Sequence, residues 1–188
     1  MDPFALVRRI KSKGPAPVHL WDPPYCGEID LRISRDGTWF HEDKPIRRLA
    51  MMQLFASVLK READGSYYLV TPVEKVKIKV DDCPFVVVGM DVEGAGQSQT
   101  LVFTTNTGET VTAGAEHQIR VETNQPRAEP HPILHIRGGM NGLINRAVFY
   151  RLVELAEQRS HETEIITGVW SDSCFFELGR ETSGSASL

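Results

Sequence analysis

Asp30-Leu31-Arg32-Ile33-Ser34-Arg35-Asp36-Gly37-Thr38-Trp39 opens a unit that continues through Ile46-Arg47-Arg48-Leu49, Gly65-Ser66-Tyr67-Tyr68-Leu69-Val70-Thr71 and Val76-Lys77-Ile78-Lys79-Val80. Leu31 and Ile33 alternate with Arg32 and Ser34, the period of a half-buried strand, and Arg35-Asp36-Gly37 marks a hairpin turn into a second strand carrying Trp39 and His41. Pro45 then stands where a first helical residue would. Ile46, Leu49, Met52 or Gln53, Phe55, Val58 and Leu59 follow at helical spacing until Gly65 stops the run. The stretch predicts an amphipathic helix packed on a sheet.

A similar order recurs further on. Ile133-Leu134-His135-Ile136-Arg137-Gly138-Gly139 is followed by Leu143-Ile144-Asn145-Arg146 running into a helix, then by Glu164 to Trp170 and Cys174 to Leu178. Between the copies, 84–91, 100–105, 109–112 and 118–122 read as strands, with Asn106-Thr107-Gly108 as a tight turn. The expected class is α+β: two sheet-plus-helix repeats, the second a strongly bent antiparallel sheet or barrel closed by one helix. The expected boundaries are 1–22 for an N-terminal helix and linker, 23–82 and 83–180 for the repeats, and 181–188 for a tail. The proline-rich loop 124–132 and the tail are expected to be mobile or surface-bound.

A chain of 188 residues, 41% hydrophobic and 24% charged, can bury a core. Its longest apolar runs fall far short of the roughly 20 residues a membrane span needs. Met1 to Lys11 reads as a short amphipathic helix rather than a signal, and Cys26, Cys83 and Cys174 stand too far apart for a zinc knuckle or disulfide framework. A cytoplasmic location is the expectation, with no membrane association. Residues 1–80 hold 14 Lys or Arg against 10 Asp or Glu, and 81–188 hold 7 against 15, so a basic half precedes an acidic one. No basic stripe interleaved with aromatics stands out, which argues against dedicated nucleic-acid binding.

Several residues invite chemistry. Glu74, after Thr71-Pro72-Val73 at a strand junction, reads as a structural acceptor fixing a turn, or as an acceptor for a ribose hydroxyl or base amine in a ligand. Gly138-Gly139-Met140-Asn141-Gly142, between a strand and a helix, reads as a plain turn or as a backbone anion cradle flanked by Arg137 and Arg146. Lys44-Pro45-Ile46-Arg47-Arg48 is the matching cationic helix start of the first copy. His131 and His135 lie four apart, but Pro130 and Pro132 forbid a helix, and on a strand they stand roughly 13 Å apart, too far to share a metal. Neither a nucleophile elbow nor a phosphate-loop motif is present.

The Gly37-x-Trp39 hairpin, Tyr67-Tyr68-Leu69-Val70-Thr71-Pro72-Val73-Glu74, Asp82-x-Pro84-Phe85, Thr105-Asn106 and Asn145-Arg146-Ala147-Val148-Phe149-Tyr150 carry a family resemblance. The chain resembles the bacterial family called domain of unknown function 1285, over residues 4–179. The resemblance implies a duplicated two-domain core, a C-terminal domain similar to the pleckstrin homology barrel, a nucleotide-like ligand between domains and a role in signal transduction.

The expectation is a non-enzymatic regulatory or adaptor protein, without cofactor or metal, that binds a small anionic ligand between the repeats through Lys44, Arg47, Arg48, Thr71, Glu74, Arg137, Asn141 and Arg146. The alternatives are a protein-interaction module and an enzyme acting on a phosphorylated metabolite with Glu74 as its base.

Overall fold

The computed structural model describes residues 14–122, 129–161 and 164–182. The expected N-terminal helix, most of the proline-rich loop and the residues from 183 on lie outside the described residues. Backbone contacts divide the chain into two compact units that meet in sequence at Pro84 and Phe85, with the Gly138–Met140 turn counted in the first.

The first unit is a six-stranded sheet built from β1 (Tyr25–Ile33), β2 (Trp39–His41), β3 (Lys44–Pro45), β4 (Leu59–Arg61), β5 (Tyr67–Val70) and β6 (Lys75–Val80), in the order β3-β2-β1-β6-β5-β4. β1 pairs antiparallel with β2 and parallel with β6. The expected hairpin forms at Asp36-Gly37. Ser34 Oγ donates to the Asp36 carboxylate and the Thr38 N–H donates to it at 3.0 Å, which together hold Asp36 below the usual carboxylate range. Alternation then sorts the faces: Ile33, Trp39, Leu69 and Val76 are fully buried, while Lys75, Lys77 and Lys79 point the other way.

The first helix, α1, spans Leu49–Ser57 and starts later than its spacing predicts. Pro45 pairs with Phe40 at the sheet's edge, where a missing N–H costs no ladder bond, and the Ile46 N–H donates to the Trp39 carbonyl at 2.7 Å, so the chain is still sheet-bound there. Only the last turn of α1 sinks into the core, where Phe55 stacks on Trp39 with ring centroids 5.8 Å apart. Leu49, expected on the buried stripe, is half exposed.

The second unit repeats the strand topology. Its six-stranded sheet comprises β7 (Phe85–Glu93), β8 (Thr100–Thr105), β9 (Thr110–Thr112), β10 (Ile119–Glu122), β11 (His131–Arg137) and β12 (Met140–Ile144), ordered β9-β8-β7-β12-β11-β10. β7 pairs antiparallel with β8 and parallel with β12, as β1 does with β2 and β6. This sheet is a curled half-barrel. The duplication is therefore real, but it sets 25–80 against 85–144. The expected pairing with 133–178 is corrected, because Ile133 to Arg137 matches the fifth strand of the first unit and not its first.

Two additions distinguish the second unit. Helix α2 (Arg146–Glu154) follows the sixth strand, whereas α1 sits between the third and fourth, and α2 lies against β7 and β14. A separate antiparallel sheet, β13 (Glu157–His161), β14 (Glu164–Ser171) and β15 (Cys174–Thr182), ends the described chain. Its hairpin is fastened by Ser171, whose fully buried Oγ accepts from the Leu101 N–H at 2.9 Å and donates to the Ala113 carbonyl at 2.7 Å.

Candidate functional site

In the first unit, β2 and β3 are joined by Glu42 and Asp43, both with positive φ (50° and 59°), the backbone that a right-twisted two-residue hairpin demands. The turn sets Lys44 at the sheet's edge, and the chain runs on extended through Arg48 into α1. Arg48 is the N-cap (φ −84°, ψ 107°), and its side chain makes no capping bond. The first N–H groups of α1 thus carry the positive end of the helix dipole without a carboxylate or hydroxyl to meet it.

Lys44, Arg47 and Arg48 line a shallow groove of about 420 Å³ with Pro45, Ile46 and Met51. His41 and Glu42 complete its wall. None of the three cations lies within 4.0 Å of a carboxylate among the described residues. Other cations of the unit do: Arg32 meets Asp81 at 2.5 Å, Arg35 meets Asp82 at 3.2 Å, and Lys75 meets Glu62 at 2.9 Å, a bond that raises the lysine's pKa. The groove therefore joins positive charge to an apolar floor, and its guanidinium groups have the fork geometry that suits phosphate oxygens.

Thr71 and Glu74 are elsewhere, in the turn between β5 and β6. The buried Thr71 Oγ1 accepts from the Val73 and Glu74 N–H groups at 3.4 and 3.2 Å, and the Thr71 N–H donates to the Glu74 carbonyl at 2.9 Å. The turn is fixed by the threonine hydroxyl and by the backbone of Glu74, not by its carboxylate.

The second unit disposes of the remaining predicted residues differently. Arg137, at the end of β11, donates Nε to both oxygens of Glu109 at 3.0 and 3.1 Å and lies over the Phe85 ring. Its charge is already used. Gly138 and Gly139, with φ of 54° and 72°, form the two-residue turn of the β11–β12 hairpin, so β12 stands between the glycines and α2. This corrects the reading of an anion cradle at a helix N-terminus. The helix is capped instead by Asn145, whose Oδ1 accepts from the Val148 N–H at 2.8 Å. Arg146 donates Nε to the Tyr150 hydroxyl at 2.8 Å, which raises its pKa. Asn141, on β12, lines a separate 270 Å³ pocket with Glu116, Arg120 and His135. Beside that pocket His117 and His135 stack at 6.0 Å, each Nδ1 donating to a carbonyl, of His135 and Glu116 respectively.

Of the eight predicted residues, the fold thus brings together Lys44, Arg47 and Arg48. A groove of about 940 Å³ between β10 and β15 went unread in the sequence. Nothing in the residues signals it, because a strand becomes an edge only through the order in which strands pair.

Known proteins place the chain. The family description "Domain of unknown function (DUF1285), N-terminal domain" matches residues 16–83, and "Protein of unknown function (DUF1285), C-terminal domain" matches 84–178. A DUF1285 family protein from Silicibacter pomeroyi DSS-3 is similar in structure, with 51% identity, 93% of each chain covered and a TM-score of 0.85. A second, from Shewanella baltica OS155, shares 28% identity over 67% of this chain and 91% of its own, with a TM-score of 0.51. No protein of curated function matches. The two family domains span most of the sequence and divide where the two units divide: the chain belongs to the DUF1285 family.

Proposed function

We propose that this chain is a non-enzymatic regulatory or adaptor protein that holds a small anionic, nucleotide-like ligand in the Lys44, Arg47 and Arg48 groove of its first unit. The observation that carries this reading is the clustering of three cations, without carboxylate partners among the described residues, around an apolar floor at the uncapped start of α1. Phosphate oxygens would take the guanidinium groups and the free N–H groups of the helix, and a base would lie on Pro45, Ile46 and Met51. Glu42 would accept from a ribose hydroxyl or an exocyclic amine. A part in bacterial signal transduction is the role such binding would serve. The curled sheet of the second unit, with α2 across it, is read as pleckstrin homology-like.

Thermal unfolding of the purified chain against AMP, ADP, GDP, cyclic nucleotides and pyrophosphate tests the reading. A ligand at a hundred times its Kd stabilises by about 2.7 kcal/mol, and about 2–4 °C per kcal/mol is expected for a chain of this size. A rise of roughly 5–10 °C that is absent in Arg47→Glu supports the proposal. No shift with any of these compounds counts against it.

A further inference from the structure

The small pocket that Asn141 lines in the second unit has one wall made by a fastened loop. Ala113 to Gln118 carry the chain from β9 to β10, and backbone bonds tie that loop to itself and to β11: the Gly114 N–H donates to the His117 carbonyl at 3.2 Å and the His135 N–H to the Gln118 carbonyl at 3.0 Å. The two stacked imidazoles add a bond in each direction, His117 Nδ1 to the His135 carbonyl at 3.0 Å and His135 Nδ1 to the Glu116 carbonyl at 2.8 Å. These bonds fix the backbone of Glu116 and Gln118 beside β11. Arg120 of β10, Ile133 and His135 of β11 and Asn141 of β12 complete the pocket.

The fold leaves the polar groups of this pocket with little to do. Neither the Glu116 carboxylate nor the Asn141 side-chain amide makes a hydrogen bond or ion pair among the described residues. Arg120 donates to the neutral Gln118 Oε1 at 2.9 Å and meets no carboxylate within 4.0 Å among the described residues, although Glu116 borders the same space. With its Nδ1 proton spent on a carbonyl, neutral His135 keeps a lone pair on Nε2. A cation and a carboxylate therefore bound one pocket without pairing across it, above the buried Ile133. Its volume of about 270 Å³ lies below the roughly 300–1,000 Å³ of sites for drug-sized ligands.

We propose that this pocket binds a free α-amino acid as its zwitterion, with the carboxylate on the guanidinium fork of Arg120 and the Asn141 amide, the ammonium on Glu116 and His135 Nε2, and the side chain over Ile133. The inference is independent of the anion site in the first unit. A phosphate or a plain carboxylate would answer Arg120 but meet the like charge of Glu116, and an amine would answer Glu116 but meet Arg120. A nucleotide is too large for the pocket. A zwitterion places each of its charges beside the opposite one.

The test screens the full chain against the standard amino acids by saturation-transfer NMR, then measures by calorimetry the affinity of the best binder beside its N-acetyl and carboxamide derivatives. One saturable site is expected, and each derivative should bind about tenfold more weakly or worse, because each deletes one charge-assisted contact. Arg120→Gln and Glu116→Gln should each weaken the parent amino acid to a similar degree, and Arg47→Glu should leave it unchanged. Both pocket substitutions are at exposed residues, and the comparison of derivatives needs no variant at all. Absence of binding by every amino acid, or unchanged affinity in both pocket variants, overturns the proposal. So does an N-acetyl derivative that binds as well as its parent, which would make this a plain carboxylate site, or a carboxamide that does so, which would make it an amine site.

Discussion

The two units share a strand order and differ in where each puts its helix, and that difference explains their unlike use of arginine. In the first unit the chain leaves the third strand through Arg47 and Arg48 into α1, which has no side-chain cap, and the cations around the groove meet no carboxylate within 4.0 Å among the described residues. In the second, Ala113 to Gln118 turn directly from β9 to β10, and the helix comes only after β12 with Asn145 as its cap. Arg137 and Arg146, which sequence order makes the counterparts of Arg47 and Arg48, fall at topologically different positions and are bonded to Glu109 and Tyr150. Duplicated topology does not carry duplicated sites; what decorates the strands does.

The largest contrast should appear in stability. Trp39→Ala removes a fully buried ring stacked on Phe55. It should cost about 3–5 kcal/mol and melt the first unit in urea while β14–β15 amides of the second stay protected. Ser171→Ala leaves the Leu101 N–H without its buried acceptor. It should cost about 1–3 kcal/mol, confined to the second unit by amide exchange; a uniform loss across both units would show that they do not unfold separately.

The helix starts offer a finer contrast. Asn145→Ala should cost about 1 kcal/mol, because it deletes a capping bond, whereas Arg48→Ala should stay within about 0.5 kcal/mol, because the Arg48 side chain makes none. Equal costs would mean that Arg48 serves the fold and would weaken the binding reading.

The smallest effect is that of pH. Asp36 is depressed below 3.8 by Ser34 and Thr38, and Glu177 below 4.5 by Arg180. Each folded-state pKa lies below its unfolded value, so the stability it contributes is complete above the unfolded value and is lost as pH falls through the folded one. Urea midpoints should hold from pH 7 to about 5 and then decline, and Asp36→Asn should flatten part of that decline.

Much of the fold was legible because turn chemistry is local. Asp36-Gly37 and Asn106-Thr107-Gly108 specify their hairpins by the φ values they permit, and the alternation of Leu31 with Arg32 assigns faces without reference to the rest of the chain. The repeat is visible in the sequence, but its helical spacing sets it in the wrong register. Ile46 to Leu59 and Ile144 to Ala156 look alike, while the parallel pairings of β1 with β6 and β7 with β12, which define the duplication, leave no mark in either strand. Gly138-Gly139 was misplaced for a related reason: β12 is five residues long and merges by composition into the helix that follows. Lys44, Arg47 and Arg48 were found because three cations in five positions are conspicuous. The loss of Arg137 to Glu109 could not be foreseen, since 28 residues separate the partners.

The most direct test of the binding account is isothermal titration calorimetry of the wild type, Arg47→Glu and Arg146→Glu with whichever phosphate compound gives the largest thermal shift. The account predicts one saturable site whose affinity falls at least tenfold in Arg47→Glu and is unchanged in Arg146→Glu. Equal affinity in all three, or a loss in Arg146→Glu alone, would contradict it.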